Sequence, residues 1–247
     1  MQLLPRMYSC GALCLGPLPG GEGRKSARRQ PRRYKYPMRC ELDHLVVACA
    51  DLQQGAAWAR DRLGVDVQPG GKHASMGTHN LLLRIGPRVY LELIAIDPDA
   101  APPERPRWFE LDTRAVRTRV AERPFLATWV ARCDKLVDAV TRVPELGNVR
   151  NFSRGQFVWR FALPDNGAVP FGGVMPAVMQ WDSQAHPTDV LENRGCDLIA
   201  LELAHPAATS IVPLFRALRI AGPVDVKPGP KSLVARLHTP RGDVALS

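Results

Sequence analysis

The chain has 247 residues, 45% of them apolar, and a formal net charge of +9. That length supports one large or two small domains, and no apolar run approaches the ~18 residues of a membrane-spanning helix. The charge does not mark a nucleic-acid surface: residues 1–38 hold eight basic residues against Glu22 alone, so +7 of the +9 lies there and the rest is near neutral.

The segment 1–38 is rich in Gly, Pro and Arg and has no sustained period, so it is expected to be a disordered basic tail. Three readings stay open. It is an Arg-rich organelle presequence, a basic arm for nucleic acid or anionic lipid, or extra sequence upstream of a true start at Met38. The six cysteines include no CxxC pair, which argues against a zinc ribbon. Cys49 and Cys133 read as small buried hydrophobes, and a reduced, cytoplasmic setting fits the set.

"LDHLVVACADL" (42–52) reads as a buried strand running into a helix. His44 near its start is either a core histidine satisfied by one hydrogen bond or a metal ligand or base. Leu52, Ala56, Ala59 and Leu63 then share one helical face. Asp51 suits the cap, Gln54 the capping-box position, and Gly64 the left-handed stop. "VDVQPG", "THNLLLRIG" and "RVYLELIAID" follow as three strands, the last two joined by a "GPR" turn. The order is β-α-β-β-β.

That order recurs. Leu42, Val46, Cys49 and Leu52 match Leu126, Val130, Cys133 and Leu136, and a short helix and three strand-like runs follow the second set as well. A third stretch, 196–247, has the same pattern, with Ser210 as the expected helix cap and Pro213 in its first turn. The expected domains are a tail (1–38), a body (39–191) with modules at about 42–97 and 125–182, and the third unit.

"LDHLVVACADL", "GGKHASMGTHNLLLRIG", "YLELIAIDPDA", "RPRWFELD" and "GGVMPAVMQWDSQAHP" together resemble the glyoxalase-like domain family of the vicinal oxygen chelate superfamily. That superfamily also holds glyoxalase I, extradiol dioxygenases and bleomycin-resistance proteins. The resemblance covers about Leu42 to Leu191. It implies an α+β fold of tandem βαβββ modules, forming a curved, cup-like mixed sheet with helices on the convex face. It also implies a divalent metal in the cup (Zn, Fe, Mn, Ni or Co), held by His44 and Glu92, with Glu92 able to shuttle a proton. A metal there would act as a Lewis acid on a small vicinal-oxygen substrate, in a lyase, isomerase or dioxygenase.

The residues add their own argument. Glu92 shares a strand face with Ile94 and Ile96, where an unpaired carboxylate is costly; a metal, or an arginine such as Arg84 or Arg88, would relieve it. Aligning the modules puts Thr128 at the His44 position and Ala177 at the Glu92 position, so the second module supplies no ligands. His73 and His79, six apart, would share a face if all between were strand. His79 with Asn80 could instead bond a substrate oxygen. Trp108 and Phe109 in the Pro-rich connection could wall the cup, with Trp181 and His186 on its far side. No Walker A loop, GxGxxG, HExxH or GxSxG is present. The alternative to an enzyme is a metal-free protein that sequesters a small ligand, as bleomycin-resistance proteins do. A homodimer, paired through edge strands of the third unit, is also open.

Overall fold

The structure is a computed structural model that describes residues 37–247; the basic tail expected at 1–38 lies almost wholly outside them. Strand β1 (Cys40–Ala48) leads into helix α1 (Leu52–Leu63), then β2 (Gln68–His73), β3 (Thr78–Arg84) and β4 (Tyr90–Ile96). A connection carrying α2 (Arg114–Glu122) reaches β5 (Phe125–Cys133), α3 (Leu136–Arg142), β6 (Asn148–Arg154), β7 (Phe157–Leu163) and β8 (Ala177–Trp181). The C-terminal part comprises β9 (Asp197–His205), α4 (Ala208–Leu218), β10 (Ile220–Ala221), β11 (Val224–Pro228), β12 (Ser232–Thr239) and β13 (Gly242–Leu246).

Local chemistry sets these boundaries. The Asp51 side chain accepts the Gln54 N–H at 2.7 Å, Gln54 Oε1 accepts the Ala50 N–H at 2.9 Å, and Gly64 ends α1 at φ 73°. Two boundaries differ from expectation. β2 starts at Gln68 rather than Val65, and α4 starts at Ala208, so Ser210 lies inside its first turn rather than at its cap. Pro213 sits inside α4.

The eight principal strands form one curled sheet in the order β2-β3-β4-β1-β5-β8-β7-β6, and β10 pairs parallel with the start of β1. β1 and β5 pair antiparallel at the centre and join the two modules back to back. Side-chain alternation divides the faces. Leu45, Val47, Leu91 and Leu93 pack toward the helices with Ala59, Leu63, Leu136 and Ile211. Val46, Ile94, Trp108, Phe109 and Phe161 form a separate cluster on the concave face. This is the expected α+β cup with helices outside.

The third unit forms its own four-stranded sheet, β11-β9-β12-β13. Its apolar residues Leu201, Leu203, Leu233 and Leu237 join the helix-side core, and Phe215 of α4 meets Trp129 of β5 edge-on at 5.9 Å. It therefore backs the sheet on its convex side and does not complete the cup. No helix among the described residues is long and apolar enough to cross a membrane.

Candidate functional site

The concave face holds a narrow cavity of about 30 Å³, lined by His44, His73, Asn80, Tyr90 and Glu92 of the first module, Trp108 and Phe109 of the connection, and Arg154, Trp159, Phe161, Met179 and Trp181 of the second module. That volume is room for roughly two waters. A larger ligand needs the aromatic walls to move.

His44 and Glu92 meet in this cavity. β1 and β4 pair parallel with Val46 opposite Glu92, which brings His44 Nε2 to 3.6 Å from Glu92 Oε2. The ring of His44 stacks on Tyr90 with centroids 4.5 Å apart. Both His44 and Glu92 are about 95% buried, at 4% and 5% exposure. Among the described residues no arginine pairs with Glu92. Its Oε1 instead accepts the Asn80 Nδ2–H at 2.6 Å.

Behind His44 stands Asp43. Adjacent strand residues normally point to opposite faces. Here the β1–β5 register shifts between Leu42 and His44, so Asp43 occupies a bulge and turns to the same side as its neighbour. Asp43 Oδ1 accepts His44 Nδ1–H at 2.8 Å, and Oδ2 accepts Trp181 Nε1–H at 2.9 Å and His186 Nε2–H at 3.2 Å. The group is fully buried. Burial alone would raise its pKa, but the hydrogen bonds from His186 and His44 outweigh it and hold the carboxyl well below the usual range. Asp43 is thus an ionised acceptor, which fixes the His44 proton on Nδ1 and turns Nε2 toward Glu92.

Asn80 links this pair to the second module. Its Oδ1 accepts the Gly71 N–H at 2.9 Å and Arg154 Nη1–H at 3.1 Å, so its amide nitrogen must face Glu92. Arg154, at the end of β6, also donates from Nη1 to His73 Nε2 at 3.1 Å, while His73 Nδ1–H donates to Thr78 Oγ1 at 3.1 Å. Burial first, and then the Arg154 charge, push His73 down to about 3, so its ring is neutral. Two glycines make room: a Cβ on Gly70 would lie 2.0 Å from Asn80 Oδ1, and one on Gly71 (φ +156°) would lie 2.8 Å from Arg154 Cδ.

The residues singled out from sequence divide. His44, Glu92, His73, Asn80, Trp108, Phe109 and Trp181 all line the cavity. His79 and His186 do not. A short 3₁₀ turn at Ala74–Met76 separates His73 from the strand carrying His79 and breaks the six-residue alternation, so His79 points away from Asn80's face, 3.9 Å from Asp97. His186 is fully buried; it caps the turn Pro187–Asp189 and braces Asp43 from behind. Asp43 and Arg154 were not legible. A lone Asp before a His gives no hint of a bulge, and Arg154 lies 62 residues beyond Glu92 in the chain.

The register also accounts for the second module. Val46 faces Glu92 across β1–β4, and Val130 faces Ala177 across β5–β8, so Ala177 stands where Glu92 would. Thr128 donates its hydroxyl hydrogen to Gly173 O at 3.2 Å. Among the described residues no group of three His, Cys, Asp or Glu could hold a metal. His44 Nε2 and Glu92 Oε2 remain as two facing donors, and His73 Nε2 is already taken by Arg154.

A family model described as a glyoxalase-like domain matches residues 42–218. No curated protein matches the chain. Among solved structures, a hypothetical protein from Staphylococcus aureus has the same fold (TM-score 0.51, 12% identity, 77% of this chain and 86% of that one). Methylmalonyl-CoA epimerase from Mycobacterium tuberculosis is more distant (TM-score 0.36, 20% identity, 58% of this chain and 88% of that one).

Proposed function

The chain belongs to the glyoxalase-like domain family of the vicinal oxygen chelate superfamily, and we propose that it is an enzyme that moves a proton on a small substrate bearing oxygens on neighbouring atoms. One observation carries this reading. With its Nδ1 held by Asp43, His44 turns Nε2 toward the Glu92 carboxyl group 3.6 Å away. A buried histidine nitrogen facing a carboxyl oxygen is suited to sharing a proton in transit or a metal ion.

Each residue has a role on this reading. Glu92 Oε2 takes the proton, and Asn80 holds Oε1 so that the other oxygen faces the cavity. His44 Nε2 returns or relays the proton. Asp43 keeps His44 in the working tautomer and offsets positive charge on its ring. Trp108, Phe109, Trp159 and Phe161 exclude water, which strengthens each of these interactions.

A divalent metal (Zn, Fe, Mn, Ni or Co) fits this donor pair in kind. A histidine held by a carboxylate behind it, beside a second carboxylate, is a common ligand arrangement. His44 and Glu92 would hold the ion, leaving its other positions to water and substrate oxygens. Bound there, it would act as a Lewis acid that stabilises negative charge on substrate oxygen. The metal-free alternative, a protein that sequesters a small ligand, draws support from the aromatic walls and from Thr128 and Ala177 in the second module. The unpaired outer strands β11 and β13 support pairing between two copies of the chain.

The test combines metal content with hydrogen exchange. Wild type, His44→Ala and Glu92→Ala are reconstituted with each of the five metals and analysed for bound ion. Each is then incubated in heavy water with a panel of small 2-oxo and 2-hydroxy compounds. The enzyme reading expects deuterium at the carbon beside the oxygen-bearing centre with wild type and not with either variant. Tight binding of a panel compound without exchange, under every metal condition, would favour sequestration.

A further inference from the structure

Arg154 brings a positive charge to the cavity, and no carboxylate within the described residues answers it. Its Nη1 is held by two neutral acceptors, His73 Nε2 and Asn80 Oδ1, each at 3.1 Å. It forms no ion pair with Glu92, which it reaches only through the Asn80 amide. A guanidinium has five N–H donors in a planar fork, so most of its donor capacity is left over. The chain also spends structure on placing this side chain: Gly71 leaves the space its Cδ fills, and β6 of the second module must come across to β2 and β3 of the first.

A second, independent feature points to the same ligand chemistry. Trp108 is 3% exposed and lines the cavity, and its indole Nε1–H has no hydrogen-bond partner. A buried donor left unpaired is destabilising, and such groups in native sites commonly await a ligand. A cation and an unpaired N–H, both on residues that line one small cavity, call for an anion with more than one acceptor oxygen. A carboxylate fits: planar, compact and matched to the guanidinium fork.

We propose that the cavity, opened by movement of its aromatic walls, takes a small carboxylic acid whose next carbon also bears oxygen, a 2-oxo or 2-hydroxy acid. Arg154 and the Trp108 N–H grip its carboxylate, and the carbon beside it is directed toward Glu92 and His44. The inference rests on the proton-transfer reading for the fate of the substrate, but not for its binding. Arg154 and Trp108 are specificity-determining residues in this account. Glu92 and His44 do the chemistry.

The test is a binding titration of the full chain, stripped of metal on a chelating resin, with pyruvate and lactate and with their neutral amides, pyruvamide and lactamide. Wild type is expected to prefer each acid over its amide by roughly tenfold or more, as loss of a charge-assisted hydrogen bond implies. Arg154→Met should abolish that preference, Arg154→Lys should keep part of it, and Trp108→Phe should weaken acid binding more than amide binding. Glu92→Gln should keep the preference. Equal affinity for acid and amide in wild type, an undiminished preference in Arg154→Met, or no binding of any probe would overturn the proposal. Acid-selective, Arg154-dependent binding with no hydrogen exchange would leave the anion site standing and remove the proton-transfer reading. Exchange that is indifferent to Arg154 would do the reverse.

Discussion

Asp43 and His44 are neighbours in the chain, yet their side chains meet on the same side of β1, with Nδ1 and Oδ1 2.8 Å apart. The bulge between Leu42 and His44 permits this. It turns a strand that would otherwise show one polar group to the cup into one that shows a histidine with its orienting carboxylate already attached.

Replacing Asp43 with Asn tests that arrangement. The carboxylate accepts from three N–H donors: His44, His186 and Trp181. An amide has one acceptor oxygen, so its NH₂ must face a donor or force a ring to change tautomer. Activity is expected to fall about 10- to 100-fold, as for other groups that orient a working histidine. Stability is expected to fall by about 1–3 kcal/mol. Hydrogen exchange into substrate and denaturant unfolding, run side by side, measure the two effects.

The same residue shapes the acid limb of stability. Its folded pKa lies below the unfolded value of about 3.9. Its contribution is therefore complete above the unfolded value and is lost as pH falls through the folded one. A stability–pH curve for wild type should fall more steeply below about pH 4 than that of Asp43→Asn. Parallel curves would contradict the assignment of Asp43 as a buried carboxylate.

His73 acts over a different window. Its folded pKa of about 3 lies below the ordinary 6.5, so between these values the unfolded chain binds the proton and the folded chain does not. Its contribution is present above pH 6.5 and declines as pH falls toward 3, by at most about 1.4 kcal/mol per pH unit. His73→Gln keeps an acceptor for Arg154 but cannot titrate. Unfolding free energies from pH 7 to 4 should show a shallower slope in that variant.

The paired glycines give a prediction in stability and function together. Gly70→Ala would set a methyl 2.0 Å from Asn80 Oδ1. Asn80 must then move, releasing both Glu92 and Arg154. The expected cost is about 1–3 kcal/mol in stability, with activity falling more than stability alone explains. A control at Gly222, where a Cβ meets nothing within 4 Å but φ is +115°, should show strain without loss of activity.

Much of the architecture was legible because hydrophobic alternation and capping residues are local signals. Asp51, Gln54 and Gly64 placed α1, and the match of Leu42, Val46 and Cys49 with Leu126, Val130 and Cys133 placed β1 and β5 in equivalent roles. His44 and Glu92 stood out as polar residues in apolar strands. Arg154 did not, because its meaning depends on the edge of β6 reaching β2 across the cup. Asp43 was hidden by the bulge. His79 lies outside the cavity lining because the short turn at Ala74–Met76 resets the alternation after His73.

On the proposed reading His44 Nε2 and Glu92 Oε2 share a cation. Nitrogen-15 NMR of the His44 ring, recorded without metal and then with each of the five candidate ions, tests it most directly. A shared cation requires a proton on Nδ1 throughout, a proton or metal on Nε2 in wild type, and a weakened Nε2 signature in Glu92→Gln. A bare Nε2 lone pair in wild type under every condition, unchanged by Glu92→Gln, would contradict it.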